Sequence, residues 1–316
     1  MKKHFPGFYP LGETHFEELL NRATIVLDVD VLLDLFRMHP DDAHCFLSLL
    51  NDKHIKNKLW MPYDVAWLYH KRVNEEIQKQ IDNVNSVLSH LSSCKNAIQE
   101  CKRFPYLDDR LTHDLQFVTH RIEEVCKGTA NFLSKRLRQC DIKDTLQSLF
   151  REEKVGNEYE SSELEEIYCE GLVRYRNNEP PGYESEVAKE DRIRYHDFII
   201  WKQMLAYASN QRNRGIFFVT GRVRTDWYYV VNGETISTRH ELINEFLKEL
   251  NAKEDDPDAF FYCISSKQFV ELLALKGIVH IRMPHLKDAL QEEIVYASLN
   301  ADGMLNNQTE NQSSHE

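Results

Sequence analysis

Apolar positions along the chain follow two periods. Short unbroken runs of β-branched and aromatic residues alternate with longer stretches whose apolar residues recur every three or four positions, which predicts strands separated by helices. Thr24-Ile25-Val26-Leu27 reads as a buried strand, and Val31 to Phe36 takes up helical spacing directly after it. Pro40-Asp41-Asp42 opens a helix to about Leu50, with Asp41 or Asp42 placed to cap it. Leu59-Trp60-Met61-Pro62 predicts a second short strand, ended by its proline.

Two long helical stretches follow. The first, Asp64 to about Cys101, carries Val65, Leu68, Val73, Ile77, Ile81, Val84, Val87 and Leu91. The second, Leu107 to Cys140, carries Leu111, Leu115, Val118, Ile122, Val125, Phe132 and Leu137. Phe104-Pro105 divides them, so an antiparallel hairpin is expected. Further helices are expected at 16–20, 141–150, 163–174, 195–209, 239–250, 265–275 and 286–299, with strands at 215–220 and 260–264. Together these predict an α/β fold: a parallel sheet flanked by helices, with a long antiparallel helical-hairpin insertion. The expected plan is a single domain over 1–300, with its core at 1–63 and 180–285, the insertion at 64–179, a C-terminal helix at 286–299 and a disordered polar tail at 300–316.

Composition narrows the function classes. A chain of 316 residues that is 42% hydrophobic can bury a sizeable core. Its net charge of -12 gives it no general attraction for nucleic acid or anionic membranes, so such binding needs a local basic surface or a bound cation. The seven cysteines are scattered and form no CxxC pair, which reads as reduced thiols in a cytoplasmic protein. The first residues lack the apolar core of a signal peptide, and no apolar run is long enough to span a bilayer.

The candidate chemistry lies where strands end. Asp28 and Asp30 follow the first strand, and Asp197 stands in the first turns of the helix from Tyr195. The strand 215–220 runs into Gly221-Arg222-Val223-Arg224-Thr225-Asp226-Trp227. Acids gathered at the carboxyl ends of parallel strands suit Mg²⁺ or Mn²⁺, and such ions activate water and stabilise the leaving oxygen of a phosphodiester. Each residue also has a plainer role. Asp28 or Asp30 can cap the next helix, Asp197 can answer a helix macrodipole, and Lys135, Arg136 and Arg138 can be a solvated helix face.

The chain resembles the large PIN-like domains of bacteria, relatives of the PIN nucleases that carry a long helical insertion. The resemblance rests on Phe5-Pro6-Gly7-Phe8-Tyr9, Ile25-Val26-Leu27-Asp28 and Trp60-Met61-Pro62-Tyr63 with Tyr69-His70. It continues through Pro180-Pro181-Gly182-Tyr183, Tyr195 with Asp197 to Gln203, Phe218-Val219-Thr220 with Asp226-Trp227, and Arg239 with Glu241-Leu242-Ile243. It implies a PIN fold, a divalent-metal-dependent nuclease ancestry and acids in four places. Asp28 and Asp197 fit two of these. Asp30 replaces an expected Asn, Leu68 stands where a Glu is expected, and Gly221 and Arg222 stand where the fourth group of acids belongs. After the Pro-Pro-Gly-Tyr turn the chain has Glu184, Ser185 and Glu186.

Three functions follow as expectations. The first is a protein with a decayed nuclease site, acting as a nucleic-acid- or partner-binding subunit in what the resemblance implies is a bacterial defence or toxin–antitoxin setting. In it Arg222, Arg224 and Trp227 bind phosphate and stack a base, or the two arginines salt-bridge Asp28, Asp30 or Asp197 and fill the metal site with fixed positive charge. The second is a working Mg²⁺- or Mn²⁺-dependent RNase or DNase, with Asp28, Asp30 and Asp197 holding metal and Asp226 completing the catalytic set. The third is a structural protein that assembles through the hairpin at 64–140, which an exposed apolar stripe there would favour.

Overall fold

A computed structural model describes residues 18–100, 108–184, 190–211, 214–252, 256 and 258–275. The aromatic and proline stretch at 5–10, the helix expected at 286–299 and the tail lie outside the described residues.

The strands are β1 (Thr24–Leu27), β2 (Ile216–Thr220), β3 (Tyr228–Val231), β4 (Glu234–Thr238) and β5 (Phe261–Ser265). The helices in chain order are α1 (Val29–Arg37), α2 (Pro40–Leu50), α3 (Lys53–Lys56), α4 (Tyr63–Glu100), α5 (Asp109–Arg136), α6 (Asp141–Leu149), α7 (Ser161–Arg176), α8 (Asp191–Arg194), α9 (His196–Ser209), α10 (His240–Glu249) and α11 (Ser266–Leu275). The expected α/β class and the antiparallel α4–α5 hairpin are both present.

Strands β1, β2 and β5 form one parallel sheet in that order, with Leu27 beside Val219 and Phe218 beside Cys263. All five residues of β2 are buried, as the centre of a sheet covered on both faces requires. The expected strand at 59–61 is reduced to single parallel bridges, Ile25 to Leu59 and Met61 to Val155. It still lies on the free side of β1, where Trp60 N–H donates to Ile25 O at 3.1 Å. The segment that follows β1 in the chain therefore lies on one side of it and β2 and β5 on the other, so the order in which strands are added reverses between β1 and β2. The crevice beyond the carboxyl ends of these two strands is the switch point where α/β sheets bind ligands.

Two features bring helices to that crevice. Asp64, fully buried at the start of α4, accepts from Arg192 Nε at 2.8 Å and Gln203 Nε2 at 3.1 Å, and its own N–H donates to Gln203 Oε1 at 3.1 Å. This fixes the first turns of the long helix against α9. On the other side, Trp201 of α9 packs edge-on against Phe261 at 4.7 Å and Trp227 at 6.3 Å, which ties α9 and the loop after β2 into one core.

The β3–β4 hairpin was not expected from the apolar pattern, because β4 is largely exposed and has no apolar run. The signal that marks it is Asn232-Gly233 between two strand-like segments. Both residues have positive φ, 52° and 82°, as a two-residue hairpin turn requires.

Candidate active site

A cleft of about 660 Å³ opens at the switch point. It is lined by Asp28 and Asp30 from the β1–α1 junction, Asp197 and His196 from α9, Glu184, and Arg222 and Arg224 from the loop after β2. Leu68, Arg72, Glu75, Glu76 and Lys79 line it from α4, and Arg37 from α1. Glu75, Glu76, Arg72, Lys79 and Arg37 were not singled out from the sequence. Their signal is helical periodicity: Glu75 and Glu76 lie two turns beyond Leu68 on the same face of α4.

Asp28 has the geometry of a helix cap and of a site acid at once. Its backbone is extended, with φ −71° and ψ 158°, and its Oδ1 accepts from Val29 N–H at 2.7 Å. Its N–H donates to Val219 O at 2.8 Å, so the sheet itself holds the residue at the strand end. Burial, followed by repulsion from Asp30, pushes the Asp28 carboxyl up to about 8, so at neutral pH it tends to hold its proton.

Asp197 and Asp226 converge on one guanidinium. Arg224 Nη1 donates to Asp197 Oδ2 at 2.9 Å and Nη2 to Asp197 Oδ1 at 2.7 Å, while Nε lies 3.4 Å from Asp226 Oδ1. Burial works against the Arg224 charge, but Asp197, Asp226 and Asp28 outweigh it and hold the guanidinium more firmly protonated than an ordinary arginine. Asp226 is fully buried and raised to about 6, first by burial, with Arg224 pulling it back down.

The Pro-Pro-Gly-Tyr turn positions this pair. Gly182 N–H donates to Asp226 Oδ2 at 2.8 Å. Gly182 has φ 94°, and a Cβ there would strike the Tyr175 hydroxyl and lie 2.9 Å from Asp197 Cβ, so only glycine fits. Arg174 clamps the same turn, donating to Pro180 O and pairing with Glu245 through two hydrogen bonds of 2.7 and 2.8 Å. Glu184 accepts from Thr225 N–H at 3.1 Å and from its hydroxyl, which ties the turn to the arginine-bearing loop.

The rim differs from the floor. Arg222 Nε is 3.6 Å from Asp30 Oδ2, and its side chain remains 58% exposed. Gly221 lets α1 approach this loop, since a Cβ would come within 2.8 Å of Asp34 Oδ2 and 3.0 Å of Asp30 Cβ. Arg37 spans to Glu76 of α4 with two bonds of 2.8 Å. Lys79 and Arg222 are exposed cations at the mouth.

Two expected roles change. Trp227 is 1% exposed and packs 4.7 Å from Phe218, so it is core and cannot stack a base. The expected pairing of the two arginines with acids of the cleft is present: Arg224 meets Asp197, and Arg222, two residues earlier, lies near Asp30. Among the basic residues of α5, Arg136 is 7% exposed and lies over the Phe132 ring at 4.7 Å, which removes it from any surface patch.

The donor set of Asp28, Asp30, Asp197 and Asp226 does not fit a divalent cation as arranged. Both Asp197 oxygens accept from Arg224, Asp226 Oδ2 accepts from Gly182, and Asp28 Oδ1 accepts from Val29. Among the described residues, no three His, Cys, Asp or Glu side chains converge as a metal-holding group. A cation would first have to displace a guanidinium held by two hydrogen bonds.

The chain is an α/β protein whose parallel sheet collects acids at its switch point. The family model described as a PIN-like domain matches residues 24–242, from the first residue of β1 into α10, and the chain belongs to that family. No curated protein and no solved structure matches it. Among the described residues, no helix is long and apolar enough to cross a membrane.

Proposed function

We propose that this protein is a PIN-like domain whose nuclease site is impaired, and that it binds nucleic acid without cutting it. The observation that carries this reading is the Arg224 guanidinium, bonded to both oxygens of Asp197 and paired with Asp226, where a nuclease of this ancestry needs free carboxylate oxygens. Leu68 lines the same cleft where the family resemblance expects an acid, and supplies no oxygen.

Binding is assigned to the rim. Arg72, Lys79 and Arg222 line the cleft, the last two as exposed cations, and offer phosphate contacts that the overall charge of -12 does not supply as a general field. A role beside a partner protein, in the defence or toxin–antitoxin setting implied by the family resemblance, extends this reading.

The test is purified protein with single-stranded RNA and single-stranded DNA, with Mg²⁺ or Mn²⁺. Expected is retention of one of them without cleavage, and a loss of retention in Arg222→Glu with Lys79→Glu. Cleavage that disappears in both Asp28→Ala and Asp197→Ala would establish the working nuclease instead. Failure to bind either nucleic acid would remove the binding role.

A further inference from the structure

Helix α5 carries a second apolar face that the fold does not cover. Its first face packs on α4: Leu115, Gln116 and Thr119 meet Lys95 and Ile98, Leu133 is buried, and Glu123 lies 3.9 Å from Lys95. Beside that face run Leu111, Val118, Ile122, Val125 and Phe132, all between 37% and 63% exposed. A single exposed leucine or valine needs no explanation, but a continuous stripe along one helix does.

The spacing of the stripe is informative. Leu111, Val118, Val125 and Phe132 recur every seventh residue, with Ile122 four beyond Val118. A strict seven-residue repeat of apolar side chains is the seam of one helix packing along another, because it keeps the same edge facing a partner helix over the whole length. From Leu111 to Phe132 the seam is about 31 Å long at the α-helical rise. Its flanks carry both signs of charge, with Asp114 and Glu124 beside Arg121 and Lys135, which does not match an anionic membrane surface.

We infer that this seam pairs with the same seam of a second copy of the chain, α5 against α5 in antiparallel orientation, making a four-helix bundle from two hairpins. The charge pattern selects this occupant. In the antiparallel register that sets Ile122 against Val125 of the other copy, Asp114 falls beside Lys135 of the other copy. Two-fold symmetry repeats each of these contacts. Asp114 and Lys135 occupy equivalent flanking positions on the two sides of the seam, where opposite charges fix partner and orientation. A parallel pairing sets Asp114 beside threonine instead and forfeits both ion pairs. This inference is independent of whether the cleft cuts or binds nucleic acid.

The experiment is the mass of the full chain in solution, by light scattering on a sizing column and by sedimentation. A wild-type dimer is expected. Val118→Glu with Val125→Glu places charges in the seam and raises the dissociation constant at least about tenfold, and these exposed positions leave the circular dichroism spectrum unchanged. Asp114→Lys alone weakens the dimer, and Asp114→Lys with Lys135→Asp restores it. A monomeric wild-type chain overturns the inference. So does a dimer that persists in the Val118→Glu, Val125→Glu variant, because its interface then lies elsewhere. A charge swap that fails to restore the dimer overturns the antiparallel register.

Discussion

Arg224 and Asp197 face each other as a two-point ion pair, with Nη2–Oδ1 at 2.7 Å and Nη1–Oδ2 at 2.9 Å, at the switch point of the sheet. Fork-to-carboxylate geometry of this kind is the strongest form a side-chain ion pair takes. It places a positive charge belonging to the chain itself among Asp28, Asp197 and Asp226, which are all buried.

Removing that charge strands the acids. Arg224→Met is expected to lower unfolding stability by about 3–5 kcal/mol at neutral pH, since a buried carboxylate is left without its partner. Urea unfolding measures the loss. Added Mn²⁺ is expected to raise the melting temperature of this variant in a saturable way and to leave the wild type unmoved. A wild type that responds as strongly as the variant would show that the guanidinium does not bar the cation.

The pH dependence of stability has a definite sign at Asp28. Its folded-state value of about 8 lies above the ordinary carboxylate value of about 3.9, so the folded protein holds a proton that the unfolded chain has released. The associated stability is present at low pH and is lost as pH rises through about 8, with a slope of up to about 1.4 kcal/mol per pH unit. Asp28→Asn keeps an oxygen for Val29 N–H and has no proton to lose. The variant is expected to gain on the wild type between about pH 5 and about pH 8 and then hold a constant lead. Urea midpoints that differ by the same amount throughout this range would contradict the assignment.

Trp227 is tested by separating core packing from ligand contact. Trp227→Ala is expected to cost about 3–5 kcal/mol, as other large buried aromatics do on truncation. Trp227→Phe, which keeps a ring against Phe218 and Trp201, is expected to lose less and to bind single-stranded RNA or DNA as the wild type does. A folded Phe variant with a large specific loss of binding would return Trp227 to the ligand surface.

Gly182→Ala probes the turn that carries Asp226. The positive φ alone costs about 1 kcal/mol or more for a residue with a Cβ, and the encounter with Tyr175 adds to it. Thermal unfolding is expected to show a clear drop, whereas Gly128→Ala, where a Cβ meets nothing within 4 Å inside α5, is expected to be neutral or stabilising. Equal effects at the two glycines would mean that the turn is not under the constraint described.

Much of the fold was legible because periodicity is a local property. The run at 24–27, the fully apolar run at 216–220 and the two long amphipathic stretches each announce their element within a few residues of sequence. The segment at 59–61 also has strand composition, but it meets β1 and Val155 through single bridges and never becomes a full strand. The β3–β4 hairpin was missed because β4 carries polar side chains on an exposed edge, where the turn residues Asn232-Gly233 speak and hydrophobicity does not.

The site divides in the same way. The sequence by itself determined that Asp28 ends a strand, that Asp197 opens a helix, and that arginines follow the strand at 216–220 where the family resemblance expects acids. Each of these statements concerns a residue and its near neighbours. Only the tertiary structure decided which arginine meets which acid, that Trp227 points into the core, that Glu75 and Glu76 enter the cleft from α4, and that Gly182 holds Asp226. Those outcomes depend on how α4, α9 and the loop after β2 pack together. Distances of a few ångströms between residues far apart in sequence set both the ion pairs and the desolvation that shifts Asp28, and no local pattern encodes them.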